Sequence, residues 1–500
     1  MAHKTLNFSF TWRPKPSLPV EGRALLHFPR RRVVLPPTLV AVGCRAGTRI
    51  VAAGRGESDG SGNLGVVRER KGVRKNVDIA TLGNLCVDVV LDIPSLPPAS
   101  TAEHRAYMER LEASPPDKKF WEAGGNCNLA IAASRLGLSC VTLGHVGDEI
   151  YGNFLLDVLS NENIRYVGMS QNMDDTASIA AYETLLCWVL VDPFQKHGFW
   201  SRADFSEEPA FSWMSELTEE VKKAIQQTKI LFCNGYTFDE LSPDLIISAL
   251  DCAIHAGTSI IFYPGPRGRA LLHGTLEEQR ALELLLRQSD VLLLTSDEVE
   301  SLTGIKNPIQ AAQELISRGE RTKWVIIKLG SKGSILINRS TVSCAPSFKG
   351  SILINRSTVS CAPSFKSAIV NSRQVNVVDT VGCGDSFAAA IAFGFLHRMP
   401  AVNTLALANA VGAATATGCG AGRNVAHLNK VLELLRQSNI DEDGVFWGKL
   451  FEDSSRANEV MLLSKVPING HKNRFVRIPI RNVVVELLPK FEKTSARSMV

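Results

Sequence analysis

Val378-Asp379-Thr380-Val381-Gly382-Cys383-Gly384-Asp385-Ser386-Phe387 runs directly into Ala388-Ala389-Ala390-Ile391-Ala392-Phe393. The stretch reads as a glycine loop that opens a helix. Successive small residues let backbone N–H groups converge at a helix N-terminus, where the dipole favours negative charge. Asp385 stands beside that point as an acceptor for a proton. These are the parts needed to move a phosphoryl group, although in isolation the same residues also suit a capped helix after a plain turn. A second glycine motif lies far upstream, Gly124-Gly125-Asn126-Cys127-Asn128, opening a small-residue helix over 129–136 and followed by the strand-like Cys140-Val141-Thr142-Leu143.

The two motifs, GGNCNLAIAASRLGLSCVTLGHVGDEIYG at 124–152 and DTVGCGDSFAAAIAFGF at 379–395, resemble the two signatures of the pfkB, or ribokinase-like, family of carbohydrate and nucleoside kinases. The resemblance covers about residues 76–435. It implies an α/β, ribokinase-like three-layer fold with a central mostly parallel sheet and a small β-lid drawn from about 93–120 and 178–200. The alternation of β-like and helical runs along the chain points the same way. By resemblance the enzyme transfers the γ-phosphoryl group of ATP to a hydroxymethyl group of a sugar or of a nucleoside's ribose, inosine being one candidate. It uses Mg²⁺, with K⁺ as a further cation. The alternative is a catalytically silent scaffold in an organellar complex.

Phosphoryl transfer to an alcohol needs a base, donors for the charged oxygens and a metal bridging phosphates. Asp385 is the base, and the backbone amides of Gly382, Cys383 and Gly384 form the anion hole. Cys383 has no local His partner to make its thiol a nucleophile. The resemblance assigns the acceptor to Asn84, Asp88, Gly125 and Asn128, residue types that can both donate to and accept from vicinal hydroxyls. Without the resemblance, Asp88 also reads as a solvated strand residue and Asn128 as a turn-former. It assigns the nucleotide side to Gly330, Gly333 and Asn409, and no Walker A sequence is present. Tyr236 and Trp188 are candidates for stacking on a base.

Two positions depart from the family pattern. Thr295-Ser296-Asp297-Glu298 keeps the carboxylate of an Asn-x-x-Glu motif but not the amide, and Tyr263 stands where an aspartate precedes Pro264-Gly265-Pro266-Arg267. Glu298 can still orient Mg²⁺ through water, and Asp379 is the candidate for a monovalent cation.

The 500 residues carry a net charge of +5, placed unevenly: residues 1–75 hold 15 Lys/Arg against 4 Asp/Glu, leaving the rest net negative. This acid-poor, arginine-rich leader reads as a transit peptide to the chloroplast stroma, with the mitochondrion as the alternative. No aromatic interleaving accompanies it, so nucleic acid is not an expected partner. No apolar run nears the roughly 18 residues of a membrane span. The partner is a small-molecule sugar or nucleoside, and the resemblance allows a lid-mediated homodimer. The 11 cysteines lack CxxC spacing and read as reduced thiols.

One feature belongs to no family. GSILINRSTVSCAPSFK at 333–349 recurs unchanged at 350–366. Two undiverged copies are not a solenoid, which needs three or more units. The expectation is that one copy supplies a native strand pair and the other bulges outward. The tail, 436–500, carries no motif and reads as a peripheral extension.

Overall fold

The computed structural model describes residues 74–97, 101–113, 116–169, 183–194, 197–206, 208–343, 353–365, 369–370, 373–374, 379–418, 421–425, 427–452, 459–465 and 475–497. The transit-peptide expectation lies outside the described residues except for Arg74 and Lys75, as do 178–182 of the expected lid.

The strands follow in chain order as β1 (Val77–Leu82), β2 (Leu85–Asp92), β3 (Trp121–Gly125), β4 (Cys140–Gly144), β5 (Arg165–Gly168), β6 (Leu185–Val191), β7 (His197–Ser201), β8 (Thr228–Asn234), β9 (Ser259–Tyr263), β10 (Val291–Thr295), β11 (Trp324–Lys328), β12 (Ser334–Ser343), β13 (Leu353–Ala362), β14 (Ile369–Val370), β15 (Arg373–Gln374), β16 (Glu459–Ser464) and β17 (Phe475–Pro479). An 11-stranded sheet runs β17-β16-β13-β12-β11-β10-β9-β8-β1-β4-β5. Every neighbouring pair is parallel except the two made by β12. Its inner strands are nearly continuous apolar runs because both faces are covered. Ile230 and Phe232 of β8 face one helical layer, while Leu231 and Cys233 face the other. The fold is therefore the ribokinase-like three-layer α/β arrangement.

The carboxyl ends of β1, β8, β9, β10 and β11 deliver Asn84, Asn234, Tyr263, Glu298 and Lys328 to one edge of the sheet, or to the residues just beyond it. That edge is where open α/β sheets bind ligands. A second sheet, β3-β2-β6-β7, stands above it. Its position corrects the expected lid. The strands come from 85–92 and 121–125 together with the β6–β7 hairpin, whereas 93–120 contributes the helix Thr101–Glu112 and a 3₁₀ turn. That helix lays His104 and Tyr107 on Trp200 of β7, with ring centroids 4.3 and 5.6 Å apart.

Two other expectations are also corrected. The repeated copies do not divide into a native and a bulged one: β12 and β13 pair with each other, Ser334 opposite Ala362 through Ser343 opposite Leu353, and both lie inside the main sheet. The connection 344–352 lies outside the described residues. The tail is not peripheral either. β16 and β17 extend the sheet, and the helix Ile480–Arg497 buries Ile480, Val483, Leu487 and Phe491. Phe491 meets Phe393 at 5.0 Å between centroids, on the helix Cys383–Leu396 that carries Asp385. No helix among the described residues is long and apolar enough to cross a membrane.

Phe491→Ala removes a fully buried ring from this contact. We expect a loss of about 3–5 kcal/mol of stability, read as an earlier urea unfolding midpoint, where a peripheral tail would leave the midpoint unchanged.

Candidate active site

β1 ends in a Gly83-Asn84 turn with both residues at positive φ, 60° and 53°. The Asn84 N–H donates to the buried Glu240 carboxylate at 2.5 Å. Burial raises that carboxyl to about 8. The chain then enters β2 and points Asp88 back over Gly124, where a Cβ would lie 2.0 Å from its carboxylate. At Gly125 (φ 56°) a Cβ would lie 2.2 Å from the Asn84 carbonyl. The two glycines thus let Asn84 and Asp88 press against the start of the helix Asn126–Arg135. Asn126 ties the assembly together, donating to the Leu82 and Gly83 carbonyls at 3.1 and 2.8 Å and accepting from Asn234 at 2.8 Å.

The second glycine loop meets the first. Gly382 takes the left-handed conformation (φ 74°) and starts the helix Cys383–Leu396, placing Asp385 in its first turn. Asn128 donates to the Asp385 carboxylate and accepts from the Gly422 N–H at 2.7 Å. Burial pushes Asp385 up to about 6, against the opposing pull of Lys328 and Asn128. Asp88 is raised to about 7, by burial first and by Asp385 as a like charge. Each carboxyl is thereby brought near neutrality, where a group can both take and release a proton. The Cys383 thiol is pushed up to about 12, mainly by burial and then by Asp379 and Asp385, so it stays protonated.

A pocket of about 240 Å³ lies between the two sheets. Asn84, Asp88, Gly125, Asn128, Gly382, Gly384 and Asp385 all line it, so the structure brings the predicted acceptor and catalytic residues together. Of the anion-hole trio, only Cys383 is not a lining residue, and its N–H turns back to the Thr380 carbonyl at 3.3 Å. The sequence reading missed a further wall, made by Phe199, Asp204, Asp239 and Arg267. Arg267 bridges the two carboxylates, 2.8 Å from Asp239 and in contact with Asp204, under the Tyr236 ring. Tyr236 lines the pocket, whereas Trp188 lies in the core.

The nucleotide-side residues stand elsewhere. Gly330 and Gly333 bound the 3₁₀ turn after β11, and a Cβ on Gly333 would lie 2.1 Å from the Ala362 carbonyl. Asn409 donates to the Ala362 and Pro363 carbonyls at 2.9 and 3.1 Å and accepts from Ser334 at 3.0 Å. In this arrangement it braces the repeat hairpin.

Glu298 caps its own helix, Ser296–Thr303, in a box with Thr295, and it also takes a hydrogen bond from the Tyr263 hydroxyl. Among the described residues no group of three or more His, Cys, Asp or Glu could hold a metal ion. A single carboxylate fits a magnesium that keeps its waters and takes other ligands from phosphates. Asp379, the candidate for a monovalent cation, lies at the start of the catalytic loop. Its carboxylate accepts from the Val381 N–H at 2.9 Å and pairs with His197 of β7 at 2.8 Å, tying the second sheet to the catalytic loop.

A family model described as pfkB family carbohydrate kinase matches residues 110–427. Fructokinase-1 of Zea mays is 22% identical over 372 residues, 72% of this chain and 98% of that protein. The 5-dehydro-2-deoxygluconokinase of Bacillus thuringiensis is 24% identical over 342 residues, 67% and 87% of the two chains. Among solved structures, adenosine kinase from Sinorhizobium meliloti superposes with a TM-score of 0.51 at 16% identity, over 72% of this chain and 99% of its own. That last likeness is one of fold.

Carbon-13 NMR of labelled Asp385 should show a titration midpoint near 6. Asn128→Ala removes a donor to the ionised form and should move the midpoint upward; an unchanged midpoint would show that the hydrogen bond has no part in tuning the carboxyl.

Proposed function

The chain belongs to the pfkB family of carbohydrate kinases, and on that premise we propose that it transfers the γ-phosphoryl group of ATP to a hydroxymethyl group of an uncharged sugar or of a nucleoside's ribose. The observation that carries this reading is the placement of Asp385. It sits at the first turn of a helix and at the wall of a pocket that Asn84, Asp88 and Asn128 also line.

The steps follow from that placement. Asn84, Asp88 and Asn128 hold vicinal hydroxyls, and the reacting hydroxyl gives its proton to Asp385 as its oxygen attacks. The amides of Gly382 and Gly384, which line the pocket, receive the charge on the phosphoryl oxygens. Glu298 would hold magnesium through the ion's waters, and the ion would supply partial neutralisation of that charge. The second sheet, pinned through His197 and Asp379, keeps out water, which otherwise competes as acceptor.

The pocket's charges favour an uncharged acceptor. Asp88, Asp204, Asp239 and Asp385 line it against one guanidinium, Arg267, which two of those carboxylates already hold. An anionic group placed there would meet carboxylates with, among the described residues that line the pocket, no cation to spare.

With Mg-ATP, we expect ADP release on uncharged sugars or nucleosides and little on sugar acids or sugar phosphates. Asp385→Asn should lower kcat by about 10³-fold. Because the ionised form is the base, kcat/KM should fall as pH drops through about 6, and Asp385→Asn should lose that limb. Turnover of anionic sugars alone would refute the charge argument. No turnover on any acceptor would favour the scaffold alternative.

A further inference from the structure

Glu240 is the last residue of the helix Thr237–Glu240 and is 1% exposed, a buried acid with no part in the phosphoryl transfer itself. Its neighbour Asp239 lines the acceptor pocket beside Arg267, whereas Glu240 is not a lining residue. It faces the Gly83-Asn84 turn instead. Oε2 accepts from the Asn84 N–H at 2.5 Å, and the Leu85 N–H adds a weaker hydrogen bond to the same carboxyl. A Cβ on Gly83 would lie 3.4 Å from Oε2, so the acid packs directly against the turn. Oε1 is buried and has no hydrogen-bond partner among the described residues.

The turn is where the chain leaves one sheet for the other: Leu82 ends β1 and Leu85 begins β2. Its carbonyls are held by other residues. Leu82 accepts from Asn126 and Thr237, Gly83 accepts from Asn126, and Asn84 accepts from the Asn126 N–H at 2.7 Å. The Gly83 N–H donates to the Leu143 carbonyl at 2.7 Å. That leaves the N–H of Asn84, a residue in the left-handed conformation, and Glu240 takes it. A buried carboxyl with one oxygen unpaired is costly, and a cost kept at a site calls for a role there. Burial raises the carboxyl to about 8 against the pull of the two N–H donors, so near neutral pH it is a neutral acid that accepts as a carbonyl does. What it holds is part of the acceptor site: Asn84 lines the pocket, and Asp88 follows four residues on along β2.

Resting on the kinase reading, we infer that Glu240 is a positioning residue for the acceptor: by holding the Asn84 main chain from behind, it sets where Asn84 and Asp88 meet the acceptor's hydroxyls, without touching the acceptor itself. No proton moves to or from it in the transfer. Without Glu240 the turn keeps its carbonyl bonds but loses the one that fixes the Asn84 N–H, and the acceptor binds in a wider range of poses. Glu298 and the Gly330–Gly333 turn follow β10 and β11, other strands of the sheet. The effect therefore falls on the acceptor rather than on ATP.

The test uses the full chain with Glu240→Ala and Glu240→Gln, assayed with Mg-ATP on the best of fructose, ribose and inosine. The alanine variant should raise acceptor KM about tenfold, with ATP KM within about twofold and kcat within about threefold of wild type. A merely structural acid would lower the amount of active enzyme and leave both KM values in place. Glutamine, an isostere of the neutral acid, should bring acceptor KM back to within about threefold of wild type. An alanine variant with acceptor KM within about twofold of wild type would overturn the inference, as would an equal rise in both KM values or a glutamine variant no better than alanine. If the alanine variant does not fold, Glu240→Asp decides in its place, since it withdraws the carboxyl from the turn by one methylene. A wild type that binds one of the three acceptors in calorimetry without turning it over would count against the kinase reading, and acceptor Kd in place of KM would still decide the role of Glu240. A wild type that neither binds nor turns over any of them overturns both.

Discussion

A carboxylate acts as a base near neutral pH only when water is kept from it without leaving its charge wholly uncompensated, and Asp385 is placed under that constraint. Burial lifts it to about 6, and Asn128 and Lys328 stop it from rising further. Both partners must come from other parts of the chain. Asn128 arrives because the helices Asn126–Arg135 and Cys383–Leu396 share one core cluster through Ala130, Ala132 and Ala133 on one side and Ala388, Ala389 and Ala390 on the other. Small side chains allow the backbones to close, and interiors at crystal-like density leave no slack for a larger one. Lys328 arrives because β11 runs parallel to β10 in the sheet and ends beside the loop.

The acceptor pocket and the end of β11 differ in their charges. The first is walled by four aspartates and one shared arginine. The second holds an ammonium between Glu298 and Asp385. Gly384 touches both: it lines the pocket, and a Cβ on it would lie 3.3 Å from the Lys328 ammonium.

Much of this was legible in the sequence because it is local. Glycine before a helix, Asp385 in its first turn and the Gly124-Gly125 junction are short-range patterns whose physics lies within a few residues. The alternation of strands and helices carried the sheet in the same way. Lys328 was not legible, since a lysine closing an apolar strand reads as its solvent end. The Arg267 bridge joins residues 63 and 28 positions apart in the chain, with no pattern to announce it. The lid was misplaced because β2 leaves the main sheet after only two turn residues, so one continuous β-like run serves two sheets. The tail was misjudged because its burial comes from partners almost a hundred residues away, such as Phe393 for Phe491.

The repeat hairpin has a symmetry of its own. Asn338 faces Thr358, and Thr341 faces Asn355; Ile337 faces Val359, and Val342 faces Ile354. Because the two copies are identical in sequence, each of these pairings occurs twice, related by a local two-fold axis through the middle of the ladder. A strand that pairs antiparallel with its own duplicate is complementary to itself. Neither strand needs a foreign surface to fit: each copy is the template for the other, and the sheet carries both side by side.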